Sequence, residues 1–297
     1  MKISASLVTY RSRDHIDACV SALRRQERLA EILIVDSGSD DGTAEYLRER
    51  YPELEVDPVA ENIGYAAGHN RNFARARGDA FLALNPDVEL DRDCLARLHA
   101  ALAEQSNVAS VGPKLLSADA PSLVDSAGIE CDRTRGRFRD RGRGAPASHF
   151  RQREDIFGVC GAAALYRRDA LVEVSRPGCA PFAESFFMYY EDVDLAWRLR
   201  RAGWRNVFVP GATARHQRGG AGAHNAFVEY HLVRNRLWLS ARNASIGEFL
   251  REAPGLLLFG AAKCVQATHR PHLRRALRDQ WRGLPTAFAA RSARSAP

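Results

Sequence analysis

Three short apolar runs in the first hundred residues, each followed by a helical pattern, constrain this chain most. Ile3–Thr9 is apolar and stops at polar residues, and residues 32–35 form a continuous run rich in β-branched side chains. Residues 81–84 repeat the theme. Continuous rather than alternating apolar runs are what strands buried on both faces require. Ile16, Val20 and Leu23 recur at helical spacing after the first run, and Gly38 and Gly42 punctuate the turn after the second. Thr43–Arg50 reads as a helix, and residues 91–104 as another opened by an acidic cap. Strand–helix–strand repetition of this kind predicts an α/β fold with a mostly parallel sheet flanked by helices. Ligands of such sheets bind beyond the carboxyl ends of the strands, which directs attention to Tyr10, Asp36 and Asp87.

The second half follows a different pattern. Residues 133–144 are rich in Gly and Arg and read as a hairpin or loop, and residues 156–166 as a strand. Glu191–Arg201 reads as a helix ended by Gly203, and residues 206–209 as a strand stopped by Pro210. After His224 the pattern is helical.

Charge separates the body from the tail. The 297 residues carry 43 basic and 36 acidic side chains, a net +7. From Lys263 onward there are eight basic residues (Lys263, Arg270, Arg274, Arg275, Arg278, Arg282, Arg291 and Arg294) against Asp279 alone, so the preceding residues sum to zero. The body has no bias toward polyanions. The tail lacks interleaved aromatics or a known module, so a nucleic-acid partner is not expected. Its arginines follow Phe249, Leu256, Leu257, Leu258, Phe259 and Val265, with Trp281 among them. Such a segment suits either a membrane interface or helices packing on the body or another subunit. The longest uncharged apolar stretch there, 253–262, is short of the ~18 residues that span a bilayer. Cys19, Cys94, Cys131, Cys160, Cys179 and Cys264 are scattered without a C-x-x-C pair, which fits a reducing compartment. The first apolar stretch breaks at Arg11 without a cleavage pattern, so the expected location is the cytoplasm.

Four clusters carry chemistry. Asp36, Ser37, Gly38 and Asp41 stand where a buried strand meets a helix. A carboxylate there can accept from a ribose or a base edge, and the same residues also make a plain β-turn with a helix cap. Asn62, Gly64, Gly68 and Asn70 read as a loop that either wraps a small polar ligand or simply needs glycine backbone freedom. Asn85 and Asp87 follow a strand, where one carboxylate can join a divalent-ion site with a second ligand such as His216. Glu191, Asp192 and Asp194 open a helix behind Phe187, Met188, Tyr189 and Tyr190. Three acids exceed what capping needs, and an apolar wall can raise a carboxylate pKa and ready it as a general base.

Together and in this order, the clusters resemble family 2 of the inverting glycosyltransferases, of GT-A fold, and within it the bacterial rhamnosyltransferase-like branch. The resemblance runs from Ile3 to about Arg236. It implies a GT-A catalytic domain over 1–240, with a nucleotide-sugar half of about 1–115 and an acceptor half of about 116–240, and a basic helical extension over 241–297. Under the resemblance Thr9 and Tyr10 line the nucleotide pocket. Asp36 holds the nucleoside, with Ser37, Gly38 and Asp41 shaping its turn. Asn62, Gly64, Gly68 and Asn70 belong to the donor-side loop. Asp87 matches the last acid of the D-x-D metal motif, with Asn85 where other branches place the first. Gly161 and Ala162 lie beneath donor sugar and acceptor, and Asp192 is the catalytic base beside Glu191. Trp197 and Arg198 share that helix motif near the sugars, His216 is the late metal ligand, and Arg234 and Asn235 match a pair of unassigned role.

The resemblance implies a single inverting displacement. Asp192 takes the acceptor proton, and Mg2+ or Mn2+ on Asp87 and His216 offsets charge on the leaving diphosphate. It further implies a nucleotide-sugar donor, with dTDP-rhamnose the best guess. The acceptor is a glycan or polyprenyl-linked glycan of bacterial surface polysaccharide, O-antigen or cell wall. A nucleotidyltransferase would place a Gly-rich phosphate loop after the first strand, where this chain has Tyr10, Arg11, Ser12 and Arg13. A non-catalytic scaffold would have lost the acids of 191–194 or His216, and all are present.

Overall fold

The computed structural model describes residues 1–132, 136–175, 180–218 and 226–292. Residues 133–135 of the Gly/Arg stretch, Cys179, Gly219, Gly220, His224 and Arg294 lie outside them. The first half alternates as expected: β1 (Ile3–Thr9), α1 (Ile16–Arg24), β2 (Leu29–Ser37), α2 (Thr43–Arg50), β3 (Glu55–Val59), α3 (Gly64–Arg75), β4 (Ala80–Leu84), β5 (Val88–Leu90) and α4 (Cys94–Glu104). It continues through β6 (Val108–Ser117), β7 (Val124–Ser126), β8 (Ile129–Asp132), β9 (Arg137–Asp140), β10 (Glu154–Ile156), β11 (Ala163–Arg167) and α5 (Arg168–Val174). The chain then forms α6 (Glu191–Arg201), β12 (Arg205–His216), α7 (Ala226–Asn243), α8 (Ile246–Ala267) and α9 (Pro271–Ser292).

Among the described residues, ten strands form one sheet in the order β10-β12-β6-β11-β4-β1-β2-β3, with β5 beside β12 and β7 beside β6. β3, β2, β1 and β4 run parallel, and β11 lies antiparallel between β4 and β6. Ile3, Ala5 and Leu7 of β1 pack with α1 and α4 on one face, while Leu33, Phe81 and Ala83 pack under α3 on the other, in a cluster that reaches Leu195 and Leu199 of α6. Fully burying such a side chain is worth about 1.5–3 kcal/mol. The antiparallel β11 has a functional consequence. Its first residue, Ala163, pairs with the last of β4, Leu84, so Gly161 and Ala162 arrive beside Asn85 at the carboxyl edge.

Several local expectations are corrected. The 62–70 segment is not a loop, because α3 begins at Gly64. Tertiary bonds override its weak helix propensity: buried Asn72 donates to the Leu7 and Leu33 carbonyls at 3.0 and 3.1 Å, pinning α3 to the sheet. Residues 156–166 are two strands, β10 and β11, joined by an irregular stretch. Pro210 does not stop β12, which shifts register there and runs on to His216. The helix expected from residue 91 starts at Cys94, and Asp93 makes no side-chain cap bond.

Among the described residues, the C-terminal region is three helices. Asp194 of α6 accepts from Arg242 and Asn243 of α7, Tyr230 of α7 donates to Asp279 of α9 at 2.9 Å, and a Ser245–Glu248 capping box opens α8. Helix α7 passes through the expected boundary at 240. Among the described residues, no helix is long and apolar enough to cross a membrane.

Candidate active site

A cavity of about 1960 Å³ opens over the carboxyl edge of the sheet. One wall comes from the ends of β1, β2 and β4 (Tyr10, Ser37, Asn85 and Asp87), with Asn62 and Gly64. Gly161, Ala162, Glu191 and Asp192 line it from the opposite side, and His216 from the end of β12. The α7–α9 helices contribute Phe227, Glu229, Leu232, Val233, Phe259, Lys263 and Arg270.

The strand-end turns are built by hydrogen bonds. Asp36 is 2% exposed and does not line the cavity. Its carboxylate accepts from the Thr9 hydroxyl at 2.8 Å, the Ser39 hydroxyl at 2.7 Å and the Ser39 backbone N–H at 3.1 Å. Thr9 is likewise buried. Asp41 accepts from the Thr43 N–H and hydroxyl and the Arg13 N–H. Ser37 donates to Asn62 Oδ1, which also takes the Gly64 N–H at 2.9 Å. The structure therefore brings Tyr10, Ser37, Asn62, Gly64, Asn85 and Asp87 to the cavity and makes Asp36, Gly38 and Asp41 the frame behind them. Gly68 packs on Val8 of β1, and Asn70 is buried, bonding the Phe182 backbone in both directions. Neither lines the cavity, because both lie inside a helix packed against the sheet.

Asp87 and His216 meet because β5 pairs with the end of β12, His216 opposite Val88. Asp87 Oδ1 lies 3.3 Å from His216 Nε2 and is buried without a hydrogen-bond partner. His216 Nδ1 lies 2.7 Å from Asp125 Oδ2, Arg218 binds the other Asp125 oxygen at 2.5 Å, and Arg218 also reaches Asp140 at 2.7 Å. Burial opposes a charge on His216, but the bond to Asp125 and the neighbouring Asp87 carboxylate outweigh it and raise the imidazole to about 9. An orphaned carboxylate oxygen beside an imidazole nitrogen, with a second carboxylate orienting the ring, is a donor set that fits a divalent cation, which would displace the ring proton. Among the described residues, no group of three or more His, Cys, Asp or Glu forms a complete cage. Any remaining ligands would come from substrate or water.

The three acids of α6 have three different environments. Asp194 is fully buried and bound by Arg198 at 2.8 Å and by Arg242 and Asn243, so it ties helices together. Glu191 is 5% exposed and its Oε2 is unpartnered. Burial, then the neighbouring Asp192 charge, push it well above the ordinary range. Asp192 Oδ2 accepts from the Gly161 N–H at 3.0 Å and Oδ1 from the Val193 N–H at 2.8 Å. Burial raises Asp192 to about 6, against those two bonds. A carboxylate held at its cavity edge, ionised at neutral pH and more basic than usual, can take a proton from a hydroxyl. Tyr65 donates to the Gly161 carbonyl at 2.7 Å, and a Cβ at Gly161 would fall 3.0 Å from the Tyr65 hydroxyl and 3.3 Å from Asp192.

The turn before Asp192 is strained. Phe187, Tyr189 and Tyr190 have φ of 65°, 66° and 74°, a region that non-glycine residues seldom occupy. Asn235 of α7 holds it, its amide nitrogen reaching the carbonyls of Phe186, Met188 and Tyr189 at 3.0, 2.9 and 2.9 Å. Arg234 binds the Phe186 carbonyl at 2.7 Å and orients the Asn235 oxygen at 2.8 Å. From the other side, the Ala66 N–H donates to the Phe187 carbonyl at 3.2 Å, and a Cβ at Gly64 (φ 81°) would fall 2.6 Å from that oxygen. Trp197 and Arg198 do not reach the cavity. Trp197 packs on Phe138 and Phe157, and Arg198 binds Asp194 and the Val174 and Pro181 carbonyls. Sequence reasoning missed Asp125, Arg218 and Tyr65. Their partners lie about 90 residues away or more, and no local pattern marks them.

Residues 4–175 match the family model described as glycosyl transferase family 2. The N-acetylglucosaminyl-diphospho-decaprenol L-rhamnosyltransferase of Mycobacterium tuberculosis is 30% identical over 236 residues, 71% of this chain and 74% of that protein. In fold, the chain is similar to Staphylococcus aureus TarS 1–349 in complex with UDP-GlcNAc (TM-score 0.56, 16% identity, covering 99% of this chain and 92% of that one). It is also similar to GalNAc-T7 with UDP, GalNAc and Mn2+ (TM-score 0.62, 14% identity), covering 82% of this chain and 48% of that longer one.

Proposed function

The chain belongs to glycosyl transferase family 2, in its rhamnosyltransferase-like branch, and we propose that it transfers L-rhamnose from dTDP-rhamnose to a glycan on a polyprenyl diphosphate, with inversion. The observation that carries the reading is a single cavity holding Asp192 on one wall and the Asp87–His216 pair on another. The first is a base and the second a place for the leaving diphosphate, which are the two requirements of one displacement. The sugar and the acceptor class follow the M. tuberculosis relative, named for a rhamnosyl transfer to a GlcNAc-diphospho-lipid.

In this mechanism the acceptor hydroxyl forms its bond to the anomeric carbon as the bond from that carbon to the diphosphate oxygen breaks. The electron pair leaves with the nucleoside diphosphate, and the hydroxyl proton passes to Asp192. The Gly161 and Val193 N–H groups hold the Asp192 carboxylate in place. Asp87 and His216 would hold Mg2+ or Mn2+, which as a Lewis acid offsets charge on the diphosphate. Tyr10, Ser37 and Asn62 offer the polar edge for the nucleoside, with Asp36 fixing their turn. Burial and the Asp192 charge both disfavour a second negative charge on Glu191 beside the base. The enzyme works in the cytoplasm, with the exposed apolar residues of α8 and the arginines of α9 resting on the inner membrane face, in the synthesis of surface polysaccharide.

The test is transfer of labelled sugar from dTDP-, UDP- and GDP-linked donors to GlcNAc-diphospho-polyprenol with Mn2+. Rhamnose transfer with inverted configuration is expected. Transfer from another donor alone would replace rhamnose, and absence of transfer from every donor would sink the assignment.

A further inference from the structure

The helical end of the cavity carries charge that the transfer chemistry leaves unused. Lys263 of α8 binds Glu229 of α7 at 2.8 Å, Arg270 binds it at 3.2 Å, and His272 Nε2 lies 2.8 Å from it. Three basic side chains from two segments thus converge on one carboxylate. Counting Lys263 and Arg270 alone, the spot keeps a positive excess. It lies where α9 begins at Pro271, so the positive end of a 22-residue helix adds to it. Glu229, Lys263 and Arg270 line the same cavity as Asp192, with Phe227, Leu232, Val233 and Phe259 as an apolar wall. On other faces of α8, away from Phe259 and Lys263, Leu257, Leu258 and Val265 are each 73% exposed, with Ile246 and Leu250 toward its start. Residues 253–262 contain no charge.

An anion site opening from a sugar-transfer cavity beside an exposed apolar helix matches one kind of molecule: a diphosphate with a sugar on one side and a long hydrocarbon on the other. We propose that Lys263 and Arg270, gathered by Glu229, bind the diphosphate of a lipid-linked acceptor, with the lipid leaving along α8. This rests on the acceptor class proposed above but adds a site on the helical region, separate from the strand ends that carry Asp87 and His216. The binding energy spent there is remote from the reacting hydroxyl and fixes how far the acceptor sugar reaches toward Asp192.

The test is direct binding of geranylgeranyl diphosphate to the full chain by calorimetry. Geranylgeraniol and phosphatidylglycerol vesicles serve as the phosphate-free and membrane-lipid arms. The wild type is expected to bind the diphosphate at least about tenfold tighter than the alcohol. A combined Lys263→Gln and Arg270→Gln variant should lose about tenfold or more, and Lys263→Arg should retain binding. Nucleoside diphosphate binding with Mn2+ should stay unchanged in both variants, which also reports folding. Unchanged diphosphate affinity in the double variant, or equal competition by phosphatidylglycerol vesicles, overturns the site. Because binding is read without turnover, this outcome is independent of which sugar is transferred: the site can stand while the rhamnose assignment fails, and the reverse.

Discussion

The two acidic regions of the cavity are built in opposite ways. At the ends of β1 and β2, Asp36 is buried with both oxygens engaged by Thr9 and Ser39, and the turn closes with residues near in sequence or on adjacent strands. At the start of α6, Glu191 is buried and Asp192 half-buried after three residues of positive φ, and Glu191 keeps an unpartnered oxygen. That turn is held by Asn235, more than 40 residues on, and by the Ala66 N–H, more than 120 residues back. The first region is at rest. The second stores strain and an unpartnered buried oxygen, as expected where chemistry, rather than stability, sets the residues.

The sharpest way to break this contrast is Asp192→Asn. It removes the proposed base and leaves the strand-end turns untouched. Turnover should fall by about 10²–10⁴-fold, with nucleotide binding nearly unchanged in a titration; turnover equal to wild type excludes Asp192 as the base. The pH dependence follows. Asp192 must be ionised to act, so kcat/KM should fall about tenfold per pH unit below about 6 and level off above it.

Next in size is Asp125→Asn. Asp125 touches His216 and Arg218 and does not line the cavity. Losing such a ring-orienting carboxylate should weaken Mn2+ affinity about 10–100-fold, measured by titration with nucleoside diphosphate present. Unchanged Mn2+ affinity would mean that His216 is not a ligand.

Asn235→Ala tests the clamp. It frees three backbone carbonyls from their side-chain partner. We expect kcat to fall about tenfold or more, since an error of 1 Å at the reacting centre can cost about 10²-fold. KM for the nucleotide donor should hold. A loss of thermal stability with kcat intact would show that the turn needs no fixing from α7.

This contrast also explains what was legible. β1 was readable to the residue, because a run buried on both faces announces itself locally. So were α2 and α6 and the order of the acidic clusters. α3 was hidden, since its glycines argue for a loop and only Asn72, reaching two strands at once, argues otherwise. Trp197 and Arg198 shared a motif with the acids, but helical geometry turns them away from Asp192 into the aromatic and polar core behind it. Asn235 was visible as part of a pair yet had no derivable role, because its partners are backbone carbonyls of another segment.

The smallest effect separates the two regions by sign. Asp36→Asn weakens bonds to a charged acceptor, each worth about 1.5–3 kcal/mol, so its melting temperature should fall. Asp192→Asn should do the reverse. Asp192 is raised from 3.8 to about 6 in the folded protein, so folding favours its protonated form. Its stabilising contribution is complete below the ordinary value of 3.8 and is lost as pH rises through about 6. At pH 7–8 the ionised group costs stability that the neutral amide does not. Asp192→Asn should therefore melt above wild type at pH 8, with the gap closing toward pH 4. A melting temperature that falls at pH 8 would mean that the Asp192 carboxylate is as settled as Asp36, and the division between a resting and a loaded region would not hold.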